Sequence, residues 1–229
     1  MVSPEDYEAW RSGALGRATE TLETALVFGL AGPVSGRRVL DAGAGDGSYA
    51  VEAHIRGARA VAIDSQEAMV AAARRRASVR GVGVRFARAK VEALPFRDAA
   101  FDLVLAVTVL CFVPDPGAAL REIGRILVPG GRLVIGELSR CNVWAAERRV
   151  RGWLGHRTWR HVRFWSRRDL RRLVESAGLS VEVVRGAVHY PPSALAARAF
   201  SRIDRALGRL RAPGAAFLAV AAHKPEESR

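Results

Sequence analysis

A doubly wound α/β domain on a mostly parallel sheet is what the 229-residue sequence predicts, and three observations carry the prediction. Short apolar runs alternate with helical stretches through residues 37–138. One of those runs, Phe101 to Val107, is nearly continuous in apolar residues, as expected of a parallel strand covered on both faces. A glycine-rich turn joins the first run to the helix behind it. Strands and helices in strict alternation imply parallel pairing through right-handed crossovers.

Each element has its own reason. Residues 5–30 hold few strand formers and read as helical. The run R-R-V-L-D-A (37–42) is a short buried strand, followed by Gly-rich residues 43–47 and a helix to about Arg56. A-V-A-I-D (60–64) makes the second strand, Gln66 to Arg80 an Ala/Arg-rich helix, and V-G-V-R-F-A (82–87) the third strand. The fourth strand, 101–107, leads to a helix from Pro116 to Leu127 with proline in its first turn, closed by P-G-G at 129–131. R-L-V-I-G-E-L (132–138) is the fifth strand. A long Arg/Trp-rich segment then intervenes before a helix (167–177) ended by Gly178, a strand (180–185), a helix (192–210) and a final apolar strand (215–222). The expected organisation is one domain over 1–229. It comprises an amino-terminal helical cap (1–34), a cofactor-binding core (35–138), an Arg/Trp-rich cap insertion (139–166) and the remainder of the sheet (167–229).

Composition narrows the function. About half the residues are apolar, enough for a sizeable core, yet no apolar run is long enough to cross a bilayer. The start M-V-S-P-E-D-Y-E has neither a basic region nor an apolar stretch of the secretory kind, so a cytoplasmic location is the expectation. Cys111 and Cys141 have no C-x-x-C spacing and no adjacent histidines, which argues against a disulfide framework and a metal site. The net charge is +13, but 34 of the 36 basic residues are arginines, a lopsided ratio that points less to nucleic acid than to coding bias. The charge is also local: from Glu147 to Arg172 there are ten arginines against two acids, a balance of +8.

The chemistry concentrates at Asp41-Ala42-Gly43-Ala44-Gly45-Asp46-Gly47, between strand and helix. Glycines at alternate positions let the backbone turn sharply and let a ligand lie against it. Asp64 ends the second strand, 21 residues after Gly43 (64 − 43), where a carboxylate can accept hydrogen bonds from vicinal ribose hydroxyls. A nucleoside ligand follows. The dinucleotide pattern G-x-G-x-x-G would need glycine at 48, where this chain has Ser48, and Asp41 and Asp46 would repel a pyrophosphate. S-adenosylmethionine (SAM) carries no phosphate but an ammonium and a sulfonium, which carboxylates favour.

On these residues the chain resembles the class I SAM-dependent methyltransferases that act on small molecules, of the type 11-like kind, whose first motif reads L-D-x-G-x-G-x-G. V-E-A-L-P-F (91–96), F-D-L-V-L-A-V-T-V-L (101–110) with V-P-D-P (113–116), and L-R-E-I-G-R-I-L-V-P-G-G-R-L-V-I (120–135) are similar to further family motifs in the same order. W-S-R-R-D-L-R-R-L-V-E-S-A-G-L (165–179) and Y-E-A-W (7–10) match more loosely. The resemblance implies seven strands in the order 3-2-1-4-5-7-6, the last antiparallel, in a Rossmann-like methyltransferase fold. It also implies SAM as cofactor and methyl transfer as the reaction. Asp41, Gly43, Ala44 and Gly45 would meet the methionine end, and Asp64 the ribose. Ser65, Met69, Val91 and Glu92 would lie beside the adenine, Ala106 and Val107 under the sulfonium, and Tyr7 and Trp10 over the site. Two departures stand out: Ala89-Lys90 replaces G-D before the adenine loop, and Cys111-Phe112 replaces His-His after the fourth strand.

His189, after the strand 180–185, is the candidate general base, because a neutral imidazole near the sheet's carboxyl edge can take a proton from a hydroxyl acceptor. Cys111 reads as a small buried residue rather than a nucleophile. The Arg/Trp segment, with Trp153, Trp159 and Trp165, reads first as a cap over the acceptor pocket. A membrane surface or lipid-tailed acceptor comes second, and single-stranded nucleic acid last. The acceptor is expected to be a small or lipid-like molecule. An inactive SAM-binding protein, an RNA methyltransferase and an NAD-dependent oxidoreductase are the competing classes.

Overall fold

The computed structural model describes residues 4–210 and 213–226. Seven strands form one sheet in the order β3-β2-β1-β4-β5-β7-β6. They are β1 (Arg38–Ala42), β2 (Arg59–Asp64), β3 (Arg85–Arg88), β4 (Phe101–Val107), β5 (Leu127–Leu138), β6 (Ser180–Ala187) and β7 (Phe217–His223). All neighbours pair in parallel except β7, which runs antiparallel to both β5 and β6. Both the order and the single reversal match expectation.

The helices are α1 (Pro4–Ser12), α2 (Ala14–Ala31), α3 (Ser48–Ile55), α4 (Glu67–Val79), α5 (Pro116–Ile126), α6 (Val143–Trp153), α7 (Arg167–Ser176) and α8 (Ala194–Arg209). Successive residues of β4 point to opposite faces, and both faces are covered. Val104 and Ala106 join a core with Leu120 and Ile123 of α5 and Leu170 and Val174 of α7. Leu103 and Leu105 join a second core with Phe28 of α2, Ala53 of α3 and Ala197 of α8. This is why the run 101–107 carries apolar residues at almost every position.

Helix starts follow side-chain chemistry. Asp115 accepts a hydrogen bond from the Ala118 amide at 2.9 Å, with Pro116 behind it. Asn142 caps α6 through Ala145 at 2.8 Å, and Ser166 caps α7 through Asp169 at 3.1 Å.

Three local expectations are corrected. Residues 5–30 form two helices broken at Gly13, because α2 packs against α1 so closely that a side chain at Gly16 would strike the Trp10 carbonyl. The third strand begins at Arg85 rather than 82, since register with β2 starts only at Val61 opposite Arg85. The P-G-G segment lies within β5 instead of closing a helix. The Gly130 amide donates to the Lys224 carbonyl at 2.9 Å, and the Lys224 amide returns to Gly131 at 2.9 Å. The register against β4 shifts between Phe101 and Leu103 to absorb the irregularity.

Candidate active site at the carboxyl edge of the sheet

The three glycines after β1 all have positive φ, at 75° for Gly43, 54° for Gly45 and 77° for Gly47, so each is required by the backbone. Their surroundings differ. A Cβ on Gly43 would collide with Val109, and one on Gly47 would come within 2.8 Å of the Ala73 Cβ and 2.9 Å of the Phe86 ring. A Cβ on Gly45 would meet nothing within 4 Å. Gly43 and Gly47 are thus packing glycines, and Gly45 alone opens onto space a ligand can fill.

Asp64 closes that space. One carboxylate oxygen accepts from the Gly45 amide at 2.9 Å and the other from the Gln66 amide at 2.9 Å. The turn and the end of β2 are therefore in direct contact, and each Asp64 oxygen keeps a further lone pair for another donor. The Ala89 amide donates to the Asp64 carbonyl at 3.0 Å, which brings the loop with Lys90, Val91 and Glu92 beside Asp64. Val91 and Met69 are buried and Glu92 half-buried, while Ser65 and Lys90 are exposed. Ala106 and Val107 end β4 as buried residues, so the backbone rather than the Ala106 methyl is what they offer a ligand.

The acids of the turn are sorted by environment. Asp41 is 1% exposed and accepts from the Ala50 amide at 2.9 Å. Burial raises its pKa to about 7; the Ala50 amide opposes that rise, while Asp64 and Asp46 add to it. Asp46 bonds Arg11 of α1 and Arg76 of α4, the latter at 2.5 Å. Its charge is therefore met within the protein, and the repulsion of a phosphate expected from Asp46 does not arise from this residue. The same Arg11 holds Glu20 of α2, with Nε 3.0 Å from the carboxylate. That arrangement pins α1 to the glycine turn. Tyr7 stacks with Trp10 at 6.1 Å between ring centres and lies under the Arg11 guanidinium at 5.4 Å.

Two further acids, Glu23 and Glu137, carry no signal in the glycine motif. Glu23 sits on the inward face of α2, one turn beyond buried Thr19 and one before buried Val27. No hydrogen bond or ion pair to it is present among the described residues. Burial raises it to about 7, against the fields of Arg148 and Arg11. Arg148 of α6 lies over the Trp144 ring at 5.1 Å and the Trp159 ring at 4.8 Å, and burial lowers its pKa. Trp144 donates to the Tyr190 carbonyl at 2.6 Å, and the Tyr190 hydroxyl pairs with Thr19 at 3.1 Å. The α6 wall is thereby tied to α2 beside Glu23.

Glu137 ends β5 fully buried, accepts from the Leu110 amide at 2.7 Å, and leaves its second oxygen without a hydrogen-bond partner among the described residues. Burial pushes it to about 8 against hydrogen bonds from Cys111, Leu110 and Val109. Its signal in the sequence is an acid inside an apolar strand. It anchors the loop after β4, where Thr108 is held at φ 50°, a strained value for a β-branched residue. Burial also pushes the Cys111 thiol well above its usual range, so it is no thiolate nucleophile at neutral pH.

His189 follows β6, four places from β1 in the sheet order. It is 3% exposed, its Nδ1 3.0 Å from Asp204, and its Nε2 is buried without a partner among the described residues. Asp204 also accepts from the amides of His189 at 2.7 Å and Val188 at 3.0 Å. Burial alone would raise Asp204, but these hydrogen bonds hold it below the usual carboxylate range.

Sheet order, the glycine turn and the carboxylate that bonds it from the end of β2 are together those of a SAM-dependent methyltransferase. Residues 40–135 match the family model of the methyltransferase domain. The chain is 34% identical over 225 residues to an uncharacterized protein of Mycobacterium tuberculosis, covering 96% of this chain and 73% of that one. It is 31% identical over 163 residues to a ubiquinone biosynthesis O-methyltransferase of Idiomarina loihiensis, covering 68% and 67%. A crystal structure of a SAM-dependent methyltransferase from Thermotoga maritima, described as a possible histamine N-methyltransferase, superposes with a TM-score of 0.73. It shares 26% identity, over 96% of this chain and 95% of that one. The chain belongs to the class I SAM-dependent methyltransferase family.

Proposed function

We propose that the enzyme passes the SAM methyl group to an O, N or C atom of a small or lipid-like acceptor bound between α1, α2, α6 and the carboxyl ends of β4 and β5. In this reading SAM is held by Asp41, Gly43, Ala44, Gly45, Asp64, Ser65, Met69, Val91, Glu92, Ala106 and Val107. The observation that carries it is the hydrogen bond from the Gly45 amide to Asp64, at the one glycine of the turn that faces open space. The relatives named for ubiquinone biosynthesis and for histamine support a small-molecule acceptor over a macromolecular one.

Bound SAM supplies an electrophilic methyl group on a sulfonium. The protein's part is to align the acceptor, exclude water and receive any proton the acceptor loses. Two groups compete for that proton. Glu23 is half-buried on α2 and has no hydrogen bond or ion pair among the described residues. His189 offers a partnerless Nε2 oriented by Asp204, but its side chain is enclosed.

The test is calorimetry with SAM and S-adenosylhomocysteine, followed by labelled-methyl transfer into metabolite and lipid extracts. Both ligands should bind, and Asp64→Ala should weaken SAM by roughly 10- to 100-fold, the scale of one or two hydrogen bonds to a charged group. No binding of either ligand would overturn the assignment of the site. Tight SAM binding with no transfer to any extract would favour an inactive SAM-binding protein.

A further inference from the structure

Helix α6 presents two unlike faces. Inward, Trp144, Ala145 and Gly152 are buried and Arg148 lies over the Trp144 and Trp159 rings. Outward, Val143 is 61% exposed, Val150 47%, Trp153 84% and Leu154 82%, with exposed Ala146 between them. Positions 143, 146, 150, 153 and 154 recur at helical spacing and make one stripe. An outward face would ordinarily be polar; here its apolar side chains, the largest of them almost wholly in water, follow one another along the helix.

The surroundings of the stripe are basic. Arg151, Arg157, Arg160 and Arg163 are exposed, and the acid within this stretch is Glu147, 3.7 Å from Arg151. Beside the stripe, between α6 and the loop that follows it, lies an open groove of about 500 Å³ bordered by Arg149, Trp153, Trp159, Arg160 and Phe164. No described helix is long and apolar enough to cross a membrane.

We propose that the outward face of α6 is a docking surface for an anionic lipid bilayer. Trp153 and Leu154 enter the interface, and the flanking arginines meet lipid phosphates. The aliphatic side chains favour a bilayer over RNA. Val143, Val150 and Leu154 gain from an acyl boundary but offer nothing to a stacked base, and the other rings of the groove, Trp159 and Phe164, are already covered by Arg148 and Arg149. The arginines likewise disfavour a second copy of the chain, which would set like charges against each other. Docking here would leave the inward face of α6 on the cleft, so that a lipid-like acceptor could pass from the bilayer to the methyl group. That consequence rests on the methyl-transfer reading; the docking itself does not.

The full chain is sedimented with vesicles of phosphatidylcholine alone and of phosphatidylcholine mixed with phosphatidylglycerol. It should bind the anionic vesicles preferentially and lose binding as salt rises. The variant Trp153→Glu/Leu154→Glu should weaken vesicle binding by about tenfold or more, since it removes the two largest inserted side chains. Arg157→Glu/Arg160→Glu should weaken it comparably, by reversing two of the flanking charges. All four positions are exposed, and SAM calorimetry on the same variants should show unchanged affinity, which separates loss of docking from loss of fold or cofactor site.

Several results would overturn the proposal. They are no binding of wild type to anionic vesicles, equal binding by both variants, or loss of binding only in a Leu195→Glu/Leu210→Glu variant at α8 and its C-terminal cap, where apolar residues are also exposed. Tighter binding of polyuridylate than of vesicles, dependent on Trp153, would instead make the face a nucleic-acid surface.

Discussion

Binding of SAM should expel a proton from Asp41. This carboxyl is 1% exposed and burial holds it at about 7, with Asp64 and Asp46 adding to the rise and the Ala50 amide opposing it. At pH 6.5 a group of pKa 7 is about three-quarters protonated, and at pH 8.5 almost fully ionised. A cation placed beside the turn favours the ionised form and draws the pKa down towards the ordinary range. Binding at pH 6.5 therefore releases up to about three-quarters of a proton, and at pH 8.5 almost none. Affinity follows with the same sign, rising with pH up to about 7 by at most about tenfold per unit and flat above it. Calorimetry in buffers of different ionisation enthalpy measures the protons directly. Asp41→Asn should abolish the release and flatten the pH dependence, and S-adenosylhomocysteine, without the sulfonium, should release less than SAM. Glu23, also raised to about 7, is separated by running Glu23→Gln in parallel. A binding heat independent of buffer in the wild type, or an undiminished release in Asp41→Asn, would refute this reasoning.

The remaining predictions use the same groups. Glu137 holds its proton to about 8 in the folded protein, against an unperturbed 4.5. Between those values the folded state binds more protons than the unfolded one, so the Glu137 contribution to stability falls as pH rises, by at most about 1.4 kcal/mol per pH unit. Urea unfolding from pH 5 to 8 should show a shallower decline in Glu137→Gln than in wild type; parallel curves would dismiss the idea. Gly47→Ala should lower stability by about 1–3 kcal/mol, because its Cβ meets Ala73 and Phe86 as well as a left-handed backbone. Gly45→Ala should cost only about 1 kcal/mol of stability but weaken SAM, as melting curves and calorimetry would show. Once an acceptor is found in the transfer screen, Glu23→Gln and His189→Ala divide the two candidate bases. The one whose loss cuts turnover while SAM affinity stays intact received the proton.

Much of the fold was legible because β1, β2 and β4 are central strands whose apolar content does not depend on what lies at the sheet's edges. The edge strand β3 was read too early, since Val82, Gly83 and Val84 resemble a strand locally but have no register with β2. The P-G-G segment was misread for the opposite reason: bonds to Lys224, nearly a hundred residues away, hold it in β5. The break at Gly13 depends on how closely α1 and α2 approach, which no local pattern reports. In the candidate site, the contact between Gly45 and Asp64 was readable from a contiguous motif and a strand end. Glu23, Arg148 and Arg11 were not, because on a helix the same residue is a solvated charge or a cleft group depending on which element packs against it.

The distribution of charge ties the two halves of the molecule together. A chain of net charge +13 would by itself repel a cationic cofactor. Yet the arginines nearest the turn are spent on partners, Arg11 on Asp46 and Glu20, and Arg76 on Asp46. What the turn leaves with no charged partner is acidic: Asp41, and Glu23 on the α2 wall. Exposed arginines also gather elsewhere, at Arg151 of α6 and at Arg157, Arg160 and Arg163 of the loop behind it, near Trp153 and Leu154. In water the long-range field of those arginines is screened within about 10 Å, while acids in the low-dielectric cleft act on a bound ligand almost unscreened. The same polypeptide can therefore hold a cation at one surface and meet anions at another.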